Sequence, residues 1–447
     1  MTMKKALLLL TFLVSCIAAA AQEGEETPRP AETKTGWNFG PLPAIGYNSD
    51  LGFQLGALCD IYYYGDGSVY PGYLHKFNVE ASYYFKGSGV FHFFYDSKYL
   101  IPKVRLTTAV TYLPNPIMNF YGFNGASSPY HSGYDKQDGI AFYSIRRNSL
   151  RVLADFQGTI KGPLNWAAGL AFWYYKMGDV TLKKYRDEAG FSLYNLYRHY
   201  GIIGADEATG GCHLELKAGF VFDTRDHEAA PSHGVWAELM AYGSPDMFRS
   251  GRNAGGDRFN YLKIAAHFRH YVPVWEDRIV FAYHLAYQGT VAGSVPFYMQ
   301  TNITTPYLRQ VNSEGLGSVN TLRGMLYNRI VGDGVAWGNA EFRFRIVSFN
   351  LIKQRWYVAL NPFFDAGAVV QPYRLDRMKA VTDDPATPGV DERALIYSGK
   401  DEKLHMSAGL GVKLVMNRNF IVSVEWGKPF DRQDGTSGFN VGLNYIF

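Results

Sequence analysis

The last nine residues, 439–447, read FNVGLNYIF, and their spacing decides the fold. In an extended chain Phe439, Val441, Leu443, Tyr445 and Phe447 share one face, while Asn440, Gly442 and Asn444 share the other. The same split recurs upstream. In KFNVEASYYF, 76–85, Phe77, Val79, Ala81, Tyr83 and Phe85 oppose Asn78, Glu80, Ser82 and Tyr84. In SLRVLADFQGTI, 149–160, Leu150, Val152, Ala154, Phe156 and Ile160 oppose Ser149, Arg151, Asp155, Gln157 and Thr159. Alternation over roughly 8 to 12 residues, bounded by Gly, Asn, Asp and Pro, marks strands that are wet on one side and apolar on the other.

A soluble sandwich hides such apolar faces against each other, whereas a membrane barrel turns them to lipid. Length separates the two. Many of these segments exceed the roughly 5 or 6 residues of globular strands and match or exceed the roughly 9 to 11 that cross a bilayer. The composition agrees: 33 Tyr, 30 Phe and 47 Gly stand beside only 19% charged residues. The expected fold is all-β, a 16-stranded antiparallel transmembrane β-barrel. Its strands are expected near 40–48, 52–64, 73–86, 88–100, 103–113, 139–160, 164–178, 212–223, 233–244, 257–272, 278–290, 336–348, 355–371, 403–416, 418–428 and 438–447. An even strand number puts both ends of the chain on the periplasmic side. The long segments 114–138, 179–211, 291–335 and 372–402 then all fall on the extracellular side.

The chain opens MTMKKALLLLTFLVSCIAAAAQ, with two lysines, an apolar run and an alanine cluster. That pattern predicts a signal peptide over 1–21, cut before Gln22, and hence export to the outer membrane. Cleavage before Cys16, as in a lipoprotein, is the other reading of the same stretch. Residues 22–36 are a short acidic, Pro-containing periplasmic tether, and 37–447 the barrel. The net charge of +4 includes the two leader lysines, so the mature chain is nearly neutral and nucleic acid is not an expected partner. Cys59 and Cys212 allow at most one disulfide and no thiolate metal site, and no metal or cofactor is expected.

Several motifs add a resemblance. LRG at 322–324 is followed by GNAEFRFRI at 338–346, NPFFDAGAVV at 361–370, AGLGVKLV at 408–415 and EWGKPF at 425–430. Upstream stand FVFDTRDHEAAPSHGVW at 220–236 and PAIGYNSDLGFQLG at 43–56. In this order the motifs resemble the BamA/TamA (bacterial surface antigen) family of outer-membrane assembly and translocation barrels. The resemblance implies that an extracellular loop folds into the lumen, its Arg323-Gly324 tip meeting Glu341 on the twelfth strand and Asp365 on the thirteenth. Alternation puts both acids on lumen faces, Glu341 with Arg343 and Arg345, Asp365 with Phe363 and Gly367. The resemblance also implies a strand-turn motif of Asp223, Arg225, Asp226, Pro231 and Gly234, and a C-terminal assembly signal in Tyr445 and Phe447.

Two departures stand out. Met325 occupies the position after the arginine-glycine pair that is aromatic in the family, which predicts weaker packing of the loop tip. About 15 residues precede the barrel after cleavage, far short of a POTRA domain, so the chain reads as a POTRA-less member.

Catalytic motifs are absent from the sequence: it holds no H-E-x-x-H, no G-x-S-x-G and no C-x-x-C. His267 and His270 sit three apart, on opposite faces of a strand. No enzymatic activity and no small-molecule substrate are expected. The expected partners are outer-membrane lipid and client or accessory proteins. The expected function is assistance in insertion, export or assembly of outer-membrane components through a gated barrel. The alternative is a passive pore or structural surface barrel, and a weaker third is an adhesin carried by the aromatic loops 114–138 and 179–211.

Overall fold

The computed structural model describes residues 33–447 except 71, 135–140, 183–190, 248–258, 277, 304–314, 318, 352–353, 384–388, 419, 444 and 446. The expected signal peptide and most of the tether therefore lie outside the described residues. Among those described, sixteen antiparallel strands form one closed sheet. They are β1 (Trp37–Asn48), β2 (Gly52–Tyr63), β3 (His75–Tyr84), β4 (Gly89–Ile101), β5 (Val104–Leu113), β6 (Ser144–Lys161), β7 (Leu164–Gly178) and β8 (Gly210–Asp223). The sheet continues through β9 (Gly234–Ser244), β10 (Tyr261–Trp275), β11 (Ile279–Gly293), β12 (Gly334–Leu351), β13 (Gln354–Gln371), β14 (His405–Met416), β15 (Phe420–Pro429) and β16 (Gly438–Leu443). Each strand pairs with its chain neighbours, and β16 returns to β1. Closure leaves no free sheet edge except where a pairing falls short.

The period-two pattern maps onto the two walls. Val79, Tyr83, Phe85, Val152, Phe220, Phe342 and Phe364 stand on the outer surface, while Arg151, Asp155, Glu341, Arg343 and Asp365 are buried inside. An apolar exterior over a charged interior suits lipid outside and a wet or ion-paired lumen inside. No helix among the described residues is long and apolar enough to cross a membrane, so the strands carry the crossing.

The long loops share one end of the cylinder and pack on each other. Phe120, Phe123, Tyr197, Phe297, Tyr298 and Tyr373 belong to one buried cluster spanning four loops. Phe123 meets Tyr373 edge to face at 4.8 Å, and Phe120 meets Tyr197 at 5.5 Å. A short helix, α1 (Leu193–His199), is capped by the Ser192 hydroxyl and buries Leu193, Tyr194 and Tyr197 in this cluster. Arg374 pairs with the buried Glu207 across two of the loops. The described parts of the aromatic loops thus form a dome over the extracellular mouth.

One expected strand boundary needs correction. The last strand was expected to reach 447, but β16 ends at Leu443. Tyr445 and Phe447, expected on the lipid face, lie in the lumen instead: Arg343 stacks on Tyr445 at 4.0 Å and donates to the main-chain oxygen of Phe447 at 2.8 Å. The physical reason lies in β1, where Pro41 and Pro43 offer no N–H to an extended tail.

Candidate functional site: an ion-paired lumen and an incomplete seam

The loop between β11 and β12 turns back into the barrel and brings Arg323 against the inner wall, 2% exposed. Asp365 on β13 accepts from the Arg323 backbone N–H at 2.9 Å, from Nε at 2.8 Å and, through its other oxygen, from Nη2 at 2.8 Å. Glu341 on β12 accepts from Nη1 at 2.8 Å, and Glu425 on β15 accepts from Nη1 at 3.1 Å. The guanidinium carbon lies 3.7 Å from the centre of the Phe363 ring. A planar fork with five N–H groups can engage three carboxylates and a ring face together; an ammonium group cannot reproduce this.

Two further cations complete the cluster. Arg343 Nε donates to the second oxygen of Glu341 at 2.7 Å, and Lys413 donates to Glu425 at 2.8 Å. Arg323, Arg343 and Lys413 therefore balance Asp365, Glu341 and Glu425. Such a neutral, fully bonded set fixes position more than it adds net stability, because desolvating six charges offsets their attraction.

The loop tip lies against the wall beside the last strand. Gly324 has φ +86°, and a Cβ there would meet the Gly427 backbone at 2.3 Å. A Cβ on Gly438 of β16 would lie 2.9 Å from Gly324. Three glycines thus permit backbone-to-backbone contact. Met325, expected to weaken this packing, is buried at 4% in a cluster with Leu316, Leu322, Ile330, Val335 and Trp337. Its unbranched thioether fills the apolar space.

Sequence reasoning named Arg323, Gly324, Glu341 and Asp365, and the structure brings these four together. It missed Glu425 and Lys413. The signal was present: Ile421, Ser423, Glu425 and Gly427 alternate with Val422, Val424 and Trp426, which puts Glu425 on the lumen face.

The strand-turn motif sits at the opposite, periplasmic end. Asp223 holds Arg225 through two bonds of 2.9 and 2.8 Å, and Arg225 and Arg269 both stack on Trp236. Asp226 accepts from the Ser232 N–H at 2.8 Å, the Ser232 hydroxyl at 2.7 Å and Arg418 at 2.5 Å. Burial opposes its ionisation, but the Ser232 hydroxyl and N–H and the Arg418 guanidinium hold its carboxyl well below the usual carboxylate range. Gly234 has φ +101°, and a Cβ there would meet the Thr224 carbonyl oxygen at 2.3 Å, so glycine is required for the turn. The Pro231 carbonyl oxygen accepts from Arg343 at 3.4 Å. Arg418 also reaches the Ala230 carbonyl oxygen at 2.9 Å. This turn thus leans across the periplasmic mouth toward the β14–β15 turn. The motif residues work as a turn and strap, with a chamber of about 820 Å³ beside them. His267 is buried in the lumen while His270 bonds Tyr283 at 3.0 Å on the other face.

Residues 73–447 match the Omp85 superfamily domain. The chain belongs to the Omp85 superfamily. Its fold is similar to that of BamA from Haemophilus ducreyi lacking POTRA domains 1–3, with a TM-score of 0.55 and 14% identity, covering 98% of this chain and 78% of that one. It is also similar to CdiB from Escherichia coli, with a TM-score of 0.53 and 12% identity, covering 96% and 69%. At these identities the likeness is one of fold. No curated protein sequence matches at a significant level. The BamA/TamA resemblance read from the motifs holds at the level of this superfamily, and the protein is an integral outer-membrane barrel.

This Omp85 barrel closes unevenly. β1 meets β2 along its whole length, from Trp37 opposite Tyr63 to Asn48 opposite Gly52. Across the seam it meets β16, among the described residues, at two positions, Tyr47 opposite Val441 and Asn48 opposite Asn440. Ser49 extends the contact: its N–H donates to the Phe439 carbonyl oxygen at 3.2 Å, and its hydroxyl accepts from the Phe439 N–H at 2.8 Å and approaches the same carbonyl at 3.1 Å. Because N–H groups alternate sides along a strand, the odd-numbered residues of β1 aim at the seam. Pro41 and Pro43 occupy two of those positions and offer no donor. The seam edge of β1 is therefore under-paired below Tyr47, which is where the β16 alternation stops being used.

Proposed function

We propose that this Omp85 barrel assists the insertion, export or assembly of outer-membrane proteins or envelope components by opening sideways between β1 and β16. The observation that carries the proposal is the seam: among the described residues two opposed pairs and the Ser49–Phe439 contact hold it, where the neighbouring β1–β2 interface has twelve pairs. An exposed strand edge is a template for another extended chain, and clients with unpaired strands are the natural occupants. Arg323 serves as the loop lock, holding the inserted loop on β12, β13 and β15 beside the seam while the β1 edge gives way.

The passive-pore alternative requires a continuous aqueous path. The aromatic dome and the docked loop both oppose it, so a channel recording of the native barrel should show small currents. Replacing Arg323 with alanine should enlarge them.

The test of the proposal is a disulfide between Cys residues placed at Tyr47 and Val441, with Cys59 and Cys212 changed to serine. In proteoliposomes the oxidised barrel should lose the ability to promote folding of an unfolded outer-membrane client into a protease-resistant form. Reduction should restore it. Equal activity in the oxidised and reduced barrels removes lateral opening as the mechanism.

A further inference from the structure

The strap at 224–233 also roofs a small pocket. Ala230, Pro231 and Ser232 lie over the periplasmic ends of β11, β12 and β13 and over the β14–β15 turn. Four guanidiniums line the space beneath them, those of Arg278, Arg343, Arg345 and Arg418. Among the described residues no carboxylate lines it.

Two of the four cations are answered by acids set back from the pocket. Arg343 donates to Glu341, which also serves Arg323, and Arg418 donates through Nη2 to Asp226. Arg345 lies 4.5 Å from the centre of the Tyr357 ring, and Arg278 lies 5.1 Å from that of Trp275. Ring faces attract a cation but neutralise no charge. Arg278 is pinned by its backbone: its N–H donates to the Trp275 carbonyl oxygen at 2.9 Å, and its own carbonyl accepts from the Arg345 N–H at 2.8 Å. Among the described residues its side chain meets no acid within ion-pair distance, and Arg418 bonds through Nη2 alone. Both therefore have N–H groups to offer. Gathering like charges in a cleft is unfavourable until an anion joins them, and the cleft focuses their field on it.

Size narrows the anion. The pocket holds about 30 Å³, room for one carboxylate group or a pair of waters and far less than a whole metabolite occupies. The acid must arrive on the end of something larger that stays outside. The chamber of about 820 Å³ on the other side of the strap admits an extended chain, and five Lys or Arg side chains line it against three Asp or Glu. The approach thus favours negative charge as well.

We infer that this arginine pocket docks an acidic segment of a periplasmic protein. One Asp or Glu side chain sits among the guanidiniums, with Arg278 and Arg418 donating to it, and the flanking acids lie along the chamber. A planar guanidinium matches a carboxylate through paired N–H groups, a geometry that a surface lysine does not supply. The seat is built on the strap and on β11, β12 and β13 rather than on β1, so a docked partner leaves the seam uncovered.

The test is the fluorescence anisotropy of labelled hexaglutamate mixed with the full chain in nanodiscs of zwitterionic lipid, with hexaglutamine as the uncharged control. Hexaglutamate should bind at low salt, hexaglutamine should not, and added salt should weaken the binding. Arg278→Gln should lower the affinity roughly fivefold or more, as losing a charge-assisted hydrogen bond does. Arg278 is exposed, so this variant keeps the fold, and Arg418→Gln should act in the same direction. Arg355→Gln removes an exposed cation of the same rim that does not line the pocket, and it should change the affinity by less than about twofold. No binding by the parent, binding unmoved by Arg278→Gln, or an equal loss with Arg355→Gln overturns the pocket. Displacement of hexaglutamate by inorganic phosphate at equal charge overturns the protein segment as the occupant and leaves a site for a free oxyanion. The barrel locked at 47–441 should bind as the parent does, so failure of the seam and failure of this site are read separately.

Discussion

The two sides of this barrel are built to different standards. β12 and β13 are 18 residues each and stay paired from Gly334–Gln371 to Leu351–Gln354, with register shifts at Gly334/Val335 and Arg345/Val347. Their inner faces carry Glu341, Arg343 and Asp365, all buried and bonded to one another or to Arg323. β1, by contrast, has a full partner on one side and two opposed residues on the other. The difference teaches where motion is allowed. A wall held by a long ladder and a balanced charge cluster serves as the fixed frame, and the seam with its proline-blunted edge is the part that yields.

The largest effect should come from attacking the frame. Arg323→Ala leaves three buried carboxylates facing two cations, and breaking a buried ion-pair set in this way costs about 3–5 kcal/mol. The expected outcome is a clear fall in the denaturant midpoint and in resistance to heat on semi-native gels, with the loop newly cleavable by protease. An unchanged midpoint would show that the cluster contributes nothing to the frame. Gly324→Ala follows. A methyl group at φ +86° pressed onto Gly427 should cost roughly 1–3 kcal/mol and displace the loop tip without touching a charge. Retained protease resistance of the loop would sink that prediction.

Repairing the seam should move in the other direction. Pro41→Val with Pro43→Val restores two donors on the open edge, each worth about 0.5–1.5 kcal/mol when bonded. Stability should rise and client folding should slow; a variant as active as the parent would deny the prolines a role in opening. Smallest is Asp226→Asn at the periplasmic strap. It weakens a partly exposed contact with Arg418 and should lower stability by at most about 1 kcal/mol, read from the same midpoint.

What the sequence made legible follows from which physical constraints are local. Alternation fixes the face of a residue without any knowledge of its partner, so Glu341, Asp365 and the outward rings of β3 and β6 could be read directly. The turn glycines were equally local, since Gly234 needs only its own backbone angle. Glu425 and Lys413 were readable by face, but their neighbour lies about a hundred residues away in a loop without periodicity. The dome was illegible for that same reason. The tail misled because its alternation is genuine: whether Tyr445 and Phe447 face lipid or lumen depends on Pro41, Pro43 and Arg343, far away in sequence.

Amide hydrogen exchange on the native barrel in nanodiscs tests the central contrast most directly. Seam-facing amides of β1 between residues 37 and 46 should exchange orders of magnitude faster than the amides of β12 and β13 over 334–345 and 359–370. Equal protection of the two regions would mean that β1 is bonded along its full length to something on its far side, and that the barrel has no weak seam.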